Sequence, residues 1–531
     1  MKKTHKTYAV ALLTALCFGA TGCKDSFFDH PPQDALTLDS YYQTNEQVKA
    51  STNALYNSPW FNFNNKAFWA ITELSGGNAR TYSGDVINFA NFSVTADNNE
   101  LTNAWRSLFS VVAQSNALIN NLPAKVPASV DPAVVNNALG EAHFMRAMAY
   151  FYLVRLWGNV PIIENTLDYV YSPKINTNRV EDVYTLILKD FQFAEANCTK
   201  KIRTGTSVDN GHVSSGSASA MLAKVYLYQQ NYAQARTYAE KVINSGEFKL
   251  YGAQVAGKTF TDLFRTANNN NEESVVALQW VAGSAYGHGN SMQASFAISS
   301  QITGTGDGYG VIGPTIDLQS EFAKEPGDVR RKATIMLAGD FYSQLNSSGG
   351  GYTVPADVNA QNTKAGIKKY VVGNRADNGG LGAAQSTGIN TYLMRYSEVL
   401  LIEAEAVLAG AASTNNPAAL TPFNLVRSRA GLSPKASITQ ADILRERRLE
   451  LAIEGDYWFD LGRLDGYKAT SHPKATAIIS QQERGTYSND GTQIYSEHFT
   501  PGNDRFLFPY PSTETAINPL LREAPVPYTF K

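Results

Sequence analysis

The chain has 531 residues, of which 43% are hydrophobic and 17% are charged, a composition typical of a globular protein with a large buried core. The formal net charge of −2 and the lack of a Lys/Arg-rich tract exclude the basic field that recruits nucleic acid. After the N-terminal segment, no run of 18 apolar residues predicts a membrane-spanning helix.

The first 22 residues have the pattern of a secretory signal peptide. Three lysines near the start are followed by an apolar stretch that ends at Phe18 and is too short to cross a bilayer. The segment from Ala20 to Cys23 resembles a bacterial lipobox, in which the cysteine is lipidated before cleavage. We therefore expect a signal peptide over residues 1–22, a lipid anchor at Cys23 and an extended tether over residues 23–44. Ordinary secretion with an incidental cysteine is the alternative.

The cysteines predict no disulfide in the mature protein. Cys17 would leave with the signal peptide and Cys23 would carry the lipid, so only Cys198 would remain. A buried or incidental thiol is the simpler interpretation of Cys198, and its role is left open.

The middle of the chain predicts paired helices. Apolar residues recur at three- and four-residue steps between Ala138 and Leu156, as on one face of a helix. The small residues Ala223, Ala235 and Ala239 lie where a tetratricopeptide helix pair places its packing positions. With further pairs over 45–121, 137–197 and 392–429, the pattern predicts a mainly α fold. Its expected scaffold is tetratricopeptide-like, with about four helical-pair units.

Three regions break the helical pattern. Residues 59–98 are rich in Asn, Gly and aromatic residues and predict loops with short strands. A large irregular insert with short strands is expected over 251–389, and an irregular C-terminal segment over 466–531. The helical regions are thus placed at about 45–250 and 390–465. Loops on a rigid helical scaffold are where binding sites usually form.

Three stretches resemble the SusD/RagB family of outer-membrane lipoproteins of Bacteroidetes. The first is the start at Cys23, with Phe27-Phe28-Asp29 and Pro31-Pro32. The second runs from Glu141 (EAHFMRAMAYF) to the LWGNVP segment at residues 156–161. The third comprises RYSEVLLIEAEA at 395–406 and LRERRLELAIEGDYWFDLGR at 444–463. Residues 45–531 are accordingly identified as a SusD-like domain.

The charges of the last stretch predict a structural role. Arg445, Arg447 and Arg448 interleave with Glu446, Glu450 and Glu454, so we expect ion pairs at i,i+3 and i,i+4 along one helix.

The resemblance implies a cell-surface lipoprotein of the outer membrane that captures oligosaccharides. It would deliver them to a partner SusC-like, TonB-dependent transporter, and it would do no chemistry itself. The membrane contact would be made through the N-terminal lipid alone. A peptide-binding, RagB-like importer lipoprotein is the alternative, and a surface enzyme that degrades polysaccharide is a remote one.

The resemblance also directs attention to two regions as the ligand surface. Exposed aromatic side chains would stack on sugar faces, while Asn, Asp and Arg would bond the hydroxyl groups. The first region comprises the loops after the first helix, and the second is the irregular insert. Their candidate ligand-binding residues are Trp60, Trp69, Asn78, Arg80, Tyr82, Trp280, Tyr286 and Tyr309.

The sequence offers no catalytic or metal-binding constellation. It has no Gly-x-Ser-x-Gly elbow and no His-Glu-x-x-His motif, and its histidines are scattered. We expect no cofactor, with a structural calcium ion left open because Asp97 to Glu100 is only a partial match to a calcium loop.

Overall fold

The structure is a computed structural model, and it describes residues 41–488 and 490–530. The predicted signal peptide, Cys23 and most of the predicted tether lie outside the described residues.

The fold is mainly helical, as predicted, and eleven helices of seven or more residues are found in the described part of the chain. They are α1 (Asn45–Ser51), α2 (Asn99–Lys125), α3 (Pro132–Trp157), α4 (Val180–Asn197), α5 (Ser215–Tyr228), α6 (Tyr232–Ser245), α7 (Ile316–Ala323), α8 (Tyr396–Leu408), α9 (Pro417–Arg429), α10 (Gln440–Leu451) and α11 (Pro473–Ile479). Shorter helices are Ile87–Ala90, Met292–Phe296, Ser300–Thr303, Arg330–Thr334, Tyr457–Gly462 and Ser512–Ile517.

The helices form a continuous stack. Each of α2 to α5 packs against the next helix in the chain, and α8 packs against α9. Helix α6 packs directly against α8, so the stack continues across the insert that separates them. Ala223, Ala235 and Ala239 are fully buried between neighbouring helices, where their size permits close approach. Helix α6 ends at Gly246, whose left-handed conformation (φ +66°) favours glycine.

The first predicted helix pair differs from a regular pair. Helix α1 packs on α3, whereas α2 packs against the turn Ser58–Trp60 and the π-helical turn Phe63–Ala67. Residues 61–76, predicted as loops with short strands, form an unbroken helical segment with widened turns. The prediction failed because nearly every residue there faces the core, so the segment lacks the alternation of polar and apolar faces that marks a surface helix.

The strands are short and pair in twos, all antiparallel. They are β1 (Ala79–Arg80), β2 (Ser274–Leu278), β3 (Gly313–Pro314), β4 (Ile335–Leu337), β5 (Phe341–Tyr342), β6 (Tyr352–Thr353), β7 (Ala365–Ile367), β8 (Thr391–Arg395), β9 (Thr486–Tyr487) and β10 (Ile494–Tyr495). The pairs are β1–β3, β2–β8, β4–β7, β5–β6 and β9–β10. Most of the strands belong to the insert, as predicted, and β1–β3 joins the insert to the N-terminal region.

The charged residues of α10 pair across the fold, so the predicted ion pairs along one helix are wrong. Arg447 contacts Glu398 and Asp460, each at 2.7 Å, and Arg445 contacts Glu321 of α7 at 2.9 Å. Glu450 of α10 is buried and contacts three arginines from other segments, which are Arg330, Arg395 and Arg429. The buried charged side chains of α10 face the core, because oppositely charged partners from several elements lie around the helix on that side.

Candidate functional site

A cleft of about 430 Å³ lies beside the short β1–β3 ladder. The ladder pairs Arg80 with Gly313, which places the segment after β1 against the loop that precedes β3. The cleft is lined by residues of this first region and by the β9–β10 hairpin with the segment that follows it. Its prominent side chains are Arg80, Tyr82, Ile87, Arg484, Tyr495, Glu497 and Phe499.

Tyr82 is held in place while 52% of its surface remains exposed. Its backbone N–H donates to Oε1 of Gln361 at 2.7 Å. The Arg80 guanidinium lies 4.6 Å from the centre of the Tyr82 ring, and its Nη1 donates to the Tyr82 hydroxyl at 3.2 Å. The ring is therefore oriented before any ligand arrives, which lowers the entropy cost of binding.

Tyr309 is 60% exposed and lies on a neighbouring segment. Its backbone N–H donates to the Ala294 carbonyl at 2.8 Å. Gln361, which binds the Tyr82 N–H, also donates from Nε2 to the Gly310 carbonyl at 2.6 Å. One glutamine side chain thus joins the two segments that carry Tyr82 and Tyr309.

Tyr286 is 68% exposed and is held from the N-terminal side of the fold. Its hydroxyl accepts a hydrogen bond from Nδ2 of Asn65 at 3.2 Å, and its ring meets Phe61 edge-on at 4.8 Å. Asn65 also accepts from Ser291, which directly precedes the helix Met292–Phe296. That helix carries Ala294, the residue that binds the Tyr309 segment. We call Tyr82, Tyr286 and Tyr309 together the tyrosine surface.

The structure contradicts the assignment of the three tryptophans as ligand contacts. Trp60, Trp69 and Trp280 are buried, and their indole N–H groups donate to Leu55, Asn65 and Thr391 inside the protein. Two of them pack against residues that carry the tyrosine surface. Trp69 meets Phe296 edge-on at 5.8 Å, and Trp280 meets Phe61, the neighbour of Tyr286, at 6.2 Å.

Asn78 is also buried, so its assignment as a ligand contact is contradicted as well. Its Nδ2 donates to Glu73 at 3.0 Å, and its Oδ1 accepts from Nε of Arg448 in α10 at 2.9 Å. Both ends of the amide are used inside the fold. Asn78 therefore ties the start of β1 to the charged core instead of facing a ligand.

Arg80 is a charged group at the cleft, together with Arg484 and Glu497. It is more than nine-tenths buried, and its Nη1 donates to the Gln361 carbonyl at 2.9 Å. Glu497 is its acidic neighbour, with 3.8 Å between Nη2 and the carboxylate. Sequence reasoning placed Arg80 and the three tyrosines at the site, and their contact with a ligand stays a prediction.

Two residues of this region were missed from the sequence. Tyr495, on β10, is 59% exposed and lines the same cleft as Tyr82. Gln361 links two segments of the tyrosine surface. The Asp490-Gly491 pair is typical of a hairpin turn, and this pattern could have indicated that Tyr495 lies on a hairpin strand. Nothing local marks Gln361, because its partners lie far away in the sequence.

Neither a metal cluster nor a spanning helix is found in the described part of the chain. There, no group of three or more His, Cys, Asp and Glu side chains could hold a metal ion, and no helix is both long and apolar enough to cross a membrane. Cys198 is a free, buried cysteine, and burial raises the pKa of its thiol well above the usual value, so it is poorly suited to act as a nucleophile.

Comparison with known proteins identifies the family. The SusD family model matches residues 272–526, and a model described as "Starch-binding associating with outer membrane" matches residues 27–227. A SusD-like protein of Bacteroides ovatus is 34% identical over 560 aligned positions, which cover 98% of each chain. This chain belongs to the SusD-like family.

Solved structures agree with this assignment. A crystal structure solved with xylogluco-oligosaccharide is 31% identical, has a TM-score of 0.80 and is matched over 91% of this chain and 99% of its own. A laminarin-binding SusD-like protein is 24% identical, with a TM-score of 0.68 and coverage of 90% and 98%. The second likeness concerns the fold alone.

Proposed function

We propose that this protein binds oligosaccharide at the tyrosine surface and passes it to a SusC-like, TonB-dependent transporter. The observation that carries the proposal is the set of three exposed tyrosines on segments joined by hydrogen bonds. A fixed, exposed aromatic ring offers a large apolar face for the C–H surface of a sugar at little entropy cost. The structure solved with xylogluco-oligosaccharide, at 31% identity, supports the same class of ligand.

The proposed role is binding without catalysis. The tyrosine surface presents flat rings and hydrogen-bonding groups. Ser496 at the cleft lies 3.3 Å from Nε2 of His498, but its hydroxyl donates to the Glu483 carboxylate. Incubation of purified protein with candidate polysaccharides should release no shorter sugars. If freshly purified protein releases shorter sugars and heated protein does not, this part of the proposal is overturned.

The proposed location is the outer surface of the outer membrane, with the lipid on Cys23 as the anchor. The family model described as associating with the outer membrane supports it. A transporter partner would explain why a binding protein is tethered at a membrane. Co-purification of a TonB-dependent transporter with tagged protein from detergent-solubilised cells tests the partner, and recovery of the protein alone would count against it.

The binding experiment compares glycans with peptides. Purified protein is titrated by calorimetry with a panel of plant and algal oligosaccharides and with a peptide pool. The triple variant Tyr82→Ala, Tyr286→Ala and Tyr309→Ala should lower affinity for the bound glycan by at least about a hundredfold, because the loss of any two of the three stacking contacts already corresponds to roughly 2.8 kcal/mol. Binding of peptides and of no glycan would favour the peptide-importing alternative instead.

A matched control is available at Tyr171. It is 98% exposed and lines none of the cavities described here. Tyr171→Ala removes the same side chain from another part of the surface and should leave glycan affinity unchanged. Equal losses in the triple variant and in Tyr171→Ala would show that the tyrosine surface is not the site.

A further inference from the structure

A second cavity shares no lining residue with the cleft beside β1–β3. It has a volume of about 100 Å³ and lies between the C-terminal end of α3, the helix Tyr457–Gly462 and the loop at residues 466–472. Its walls are largely aromatic, and the rings include Tyr184, Tyr228, Trp458, Phe459 and Phe506. None of the three tyrosines of the candidate glycan site lines it.

The charges at this cavity are all of one sign. Its ionisable basic residues are Arg155, Arg463, Lys468 and His472, and its lining contains no Asp or Glu. Arg463 already pairs with Glu405 and Asp460, and Lys468 is exposed, with its Nζ 3.8 Å from Glu181. Arg155 is therefore the cation without an acidic partner in the cavity wall.

The Arg155 side chain is held in a fixed orientation by aromatic rings. Its guanidinium carbon lies 3.9 Å from the centre of the Phe151 ring and 4.0 Å from that of Phe459. Nε donates to the Phe151 carbonyl at 2.8 Å, and Nη1 reaches the Tyr228 hydroxyl at 3.4 Å. These acceptors are uncharged, and a guanidinium has five N–H donors, so donors remain for a further acceptor.

No carboxylate of the described residues lies within ion-pair distance of Arg155. Asp456, the acid that most affects its pKa, is bonded to Lys224 at 2.8 and 2.9 Å. The residues next to Arg155 on α3 are buried, whereas Arg155 itself keeps accessible surface. Arg155 also belongs to the lining of the cavity.

Arg484 shows how this fold satisfies the hydrogen-bond donors of a buried arginine that has no acidic partner. It also lacks a carboxylate within ion-pair distance among the described residues. Its guanidinium is instead surrounded by the carbonyls of Leu74, Ser75 and Ala90 and by the Gln482 amide oxygen, at 2.7 to 3.1 Å. The acceptors around Arg155 are fewer: the Phe151 carbonyl and the hydroxyls of Tyr228 and Tyr152.

We propose that this cavity binds a small organic carboxylate, with its two oxygens accepting in-plane hydrogen bonds from Arg155. Aromatic rings pack on the guanidinium, which favours approach at its edge, where a carboxylate binds with two parallel hydrogen bonds. The aromatic walls would pack on a compact apolar or planar body. The volume is of the order of the roughly 150 Å³ cavity that accepts benzene, so the ligand is limited to about one ring.

The experiment uses purified protein and four probes at constant ionic strength. Propionate and benzoate are titrated by calorimetry and compared with their neutral amides, propionamide and benzamide. At least one carboxylate should bind saturably with one site per chain, and its amide should bind at least about tenfold more weakly. The absence of saturable binding by both carboxylates, or equal binding by an amide, would overturn the proposal.

Two variants locate the binding. Ala469→Leu adds volume at the cavity wall while keeping the Arg155 cation, and it should reduce carboxylate affinity by about tenfold or more. Arg155→Met removes the cation that the proposal requires. If this variant does not fold, Ala469→Leu still tests whether the carboxylate binds in the cavity. Tyr82→Ala should bind the carboxylate normally, because it alters only the glycan site. Unchanged carboxylate affinity in folded Ala469→Leu would place the binding elsewhere.

Discussion

Helix α10 and the tyrosine surface are both built from contacts between distant segments, but they differ in what those contacts leave unused. The buried charged groups of α10 pair with residues of other elements inside the fold, and Arg447 and Glu450 each have two or more partners. At the tyrosine surface the contacts hold the backbones of Tyr82 and Tyr309, while Arg80 lies over the Tyr82 ring and Phe61 meets the Tyr286 ring edge-on. Much of each tyrosine side chain is left in solvent. The first arrangement stabilises the fold, and the second is suited to binding.

The largest expected effect is loss of stability when the charged core is broken. Arg447→Met removes a buried cation from Glu398 and Asp460. We expect the free energy of unfolding to fall by about 3 kcal/mol, at the low end for a broken buried pair, because Lys224 and Arg463 still contact these acids. Urea denaturation followed by circular dichroism measures the change.

Arg445→Met is the matched control on the same helix. Its side chain is a quarter exposed and pairs with Glu321 and Glu325 near the surface. An exposed pair contributes about 1 kcal/mol or less, so this variant should remain close to the wild type in stability. Equal losses in the two variants would mean that burial is not what makes the charged core stabilising.

The next effect concerns binding and separates the Tyr82 ring from its hydroxyl. Tyr82→Ala removes the stacking face and should lower glycan affinity by about tenfold, which corresponds to about 1.4 kcal/mol. Tyr82→Phe keeps the face and loses the bonds that Arg80 and Asn362 donate to the hydroxyl, so it should retain most of the affinity. The melting temperature should change by no more than a few degrees in either variant, since the side chain is half exposed. A full loss of affinity in Tyr82→Phe would assign the contact to the hydroxyl group.

The sequence predicts the scaffold well because its signals are local. Three- and four-residue periodicity and small packing residues mark the helix pairs wherever one face of a helix is polar. The same criterion failed for residues 61–76, where burial is almost complete. The charged residues of α10 were correctly expected to be structural, but their partners come from other elements, such as Glu321, Glu398 and Asp460, which no spacing along one helix reveals.

The candidate site could be only partly predicted, because exposure is set by tertiary contacts. Trp280 and Tyr286 are six residues apart in the same irregular insert. The first is buried by Phe61 and Thr391, while the second remains in solvent. The sequence made tryptophans and tyrosines candidates alike, yet the large apolar area of tryptophan suits it to filling a core. The smaller tyrosines, with a polar hydroxyl, are the rings that reach the surface.

A smaller effect is expected from a single carboxyl group on α8. Burial, together with Glu240, raises the pKa of Glu403 to about 7, and Arg236 opposes this from 3.7 Å. The folded protein therefore holds a proton that the unfolded chain releases near pH 4.5. Stability is lost as the pH rises from about 4.5 to about 7, where the buried carboxyl must ionise.

Glu403→Gln tests this dependence because the amide resembles the protonated acid. At pH 8 the variant should be more stable than the wild type, by about 1 kcal/mol after allowance for solvent screening, whereas at pH 5 the two should nearly coincide. Thermal unfolding at both pH values gives the comparison. A constant difference between the two proteins at both values would show that ionisation of Glu403 does not affect stability.

The smallest effect on binding is expected from the proposed anchor. Cys23 precedes the described residues, and the contacts described for the tyrosine surface come from residue 61 onward. Cys23→Ala should therefore bind glycan in solution with wild-type affinity. In cells it should be lost from the outer membrane and should no longer support glycan uptake, because a freely diffusing protein is not held beside a transporter. Wild-type uptake by cells that secrete the variant would separate the binding function from the membrane.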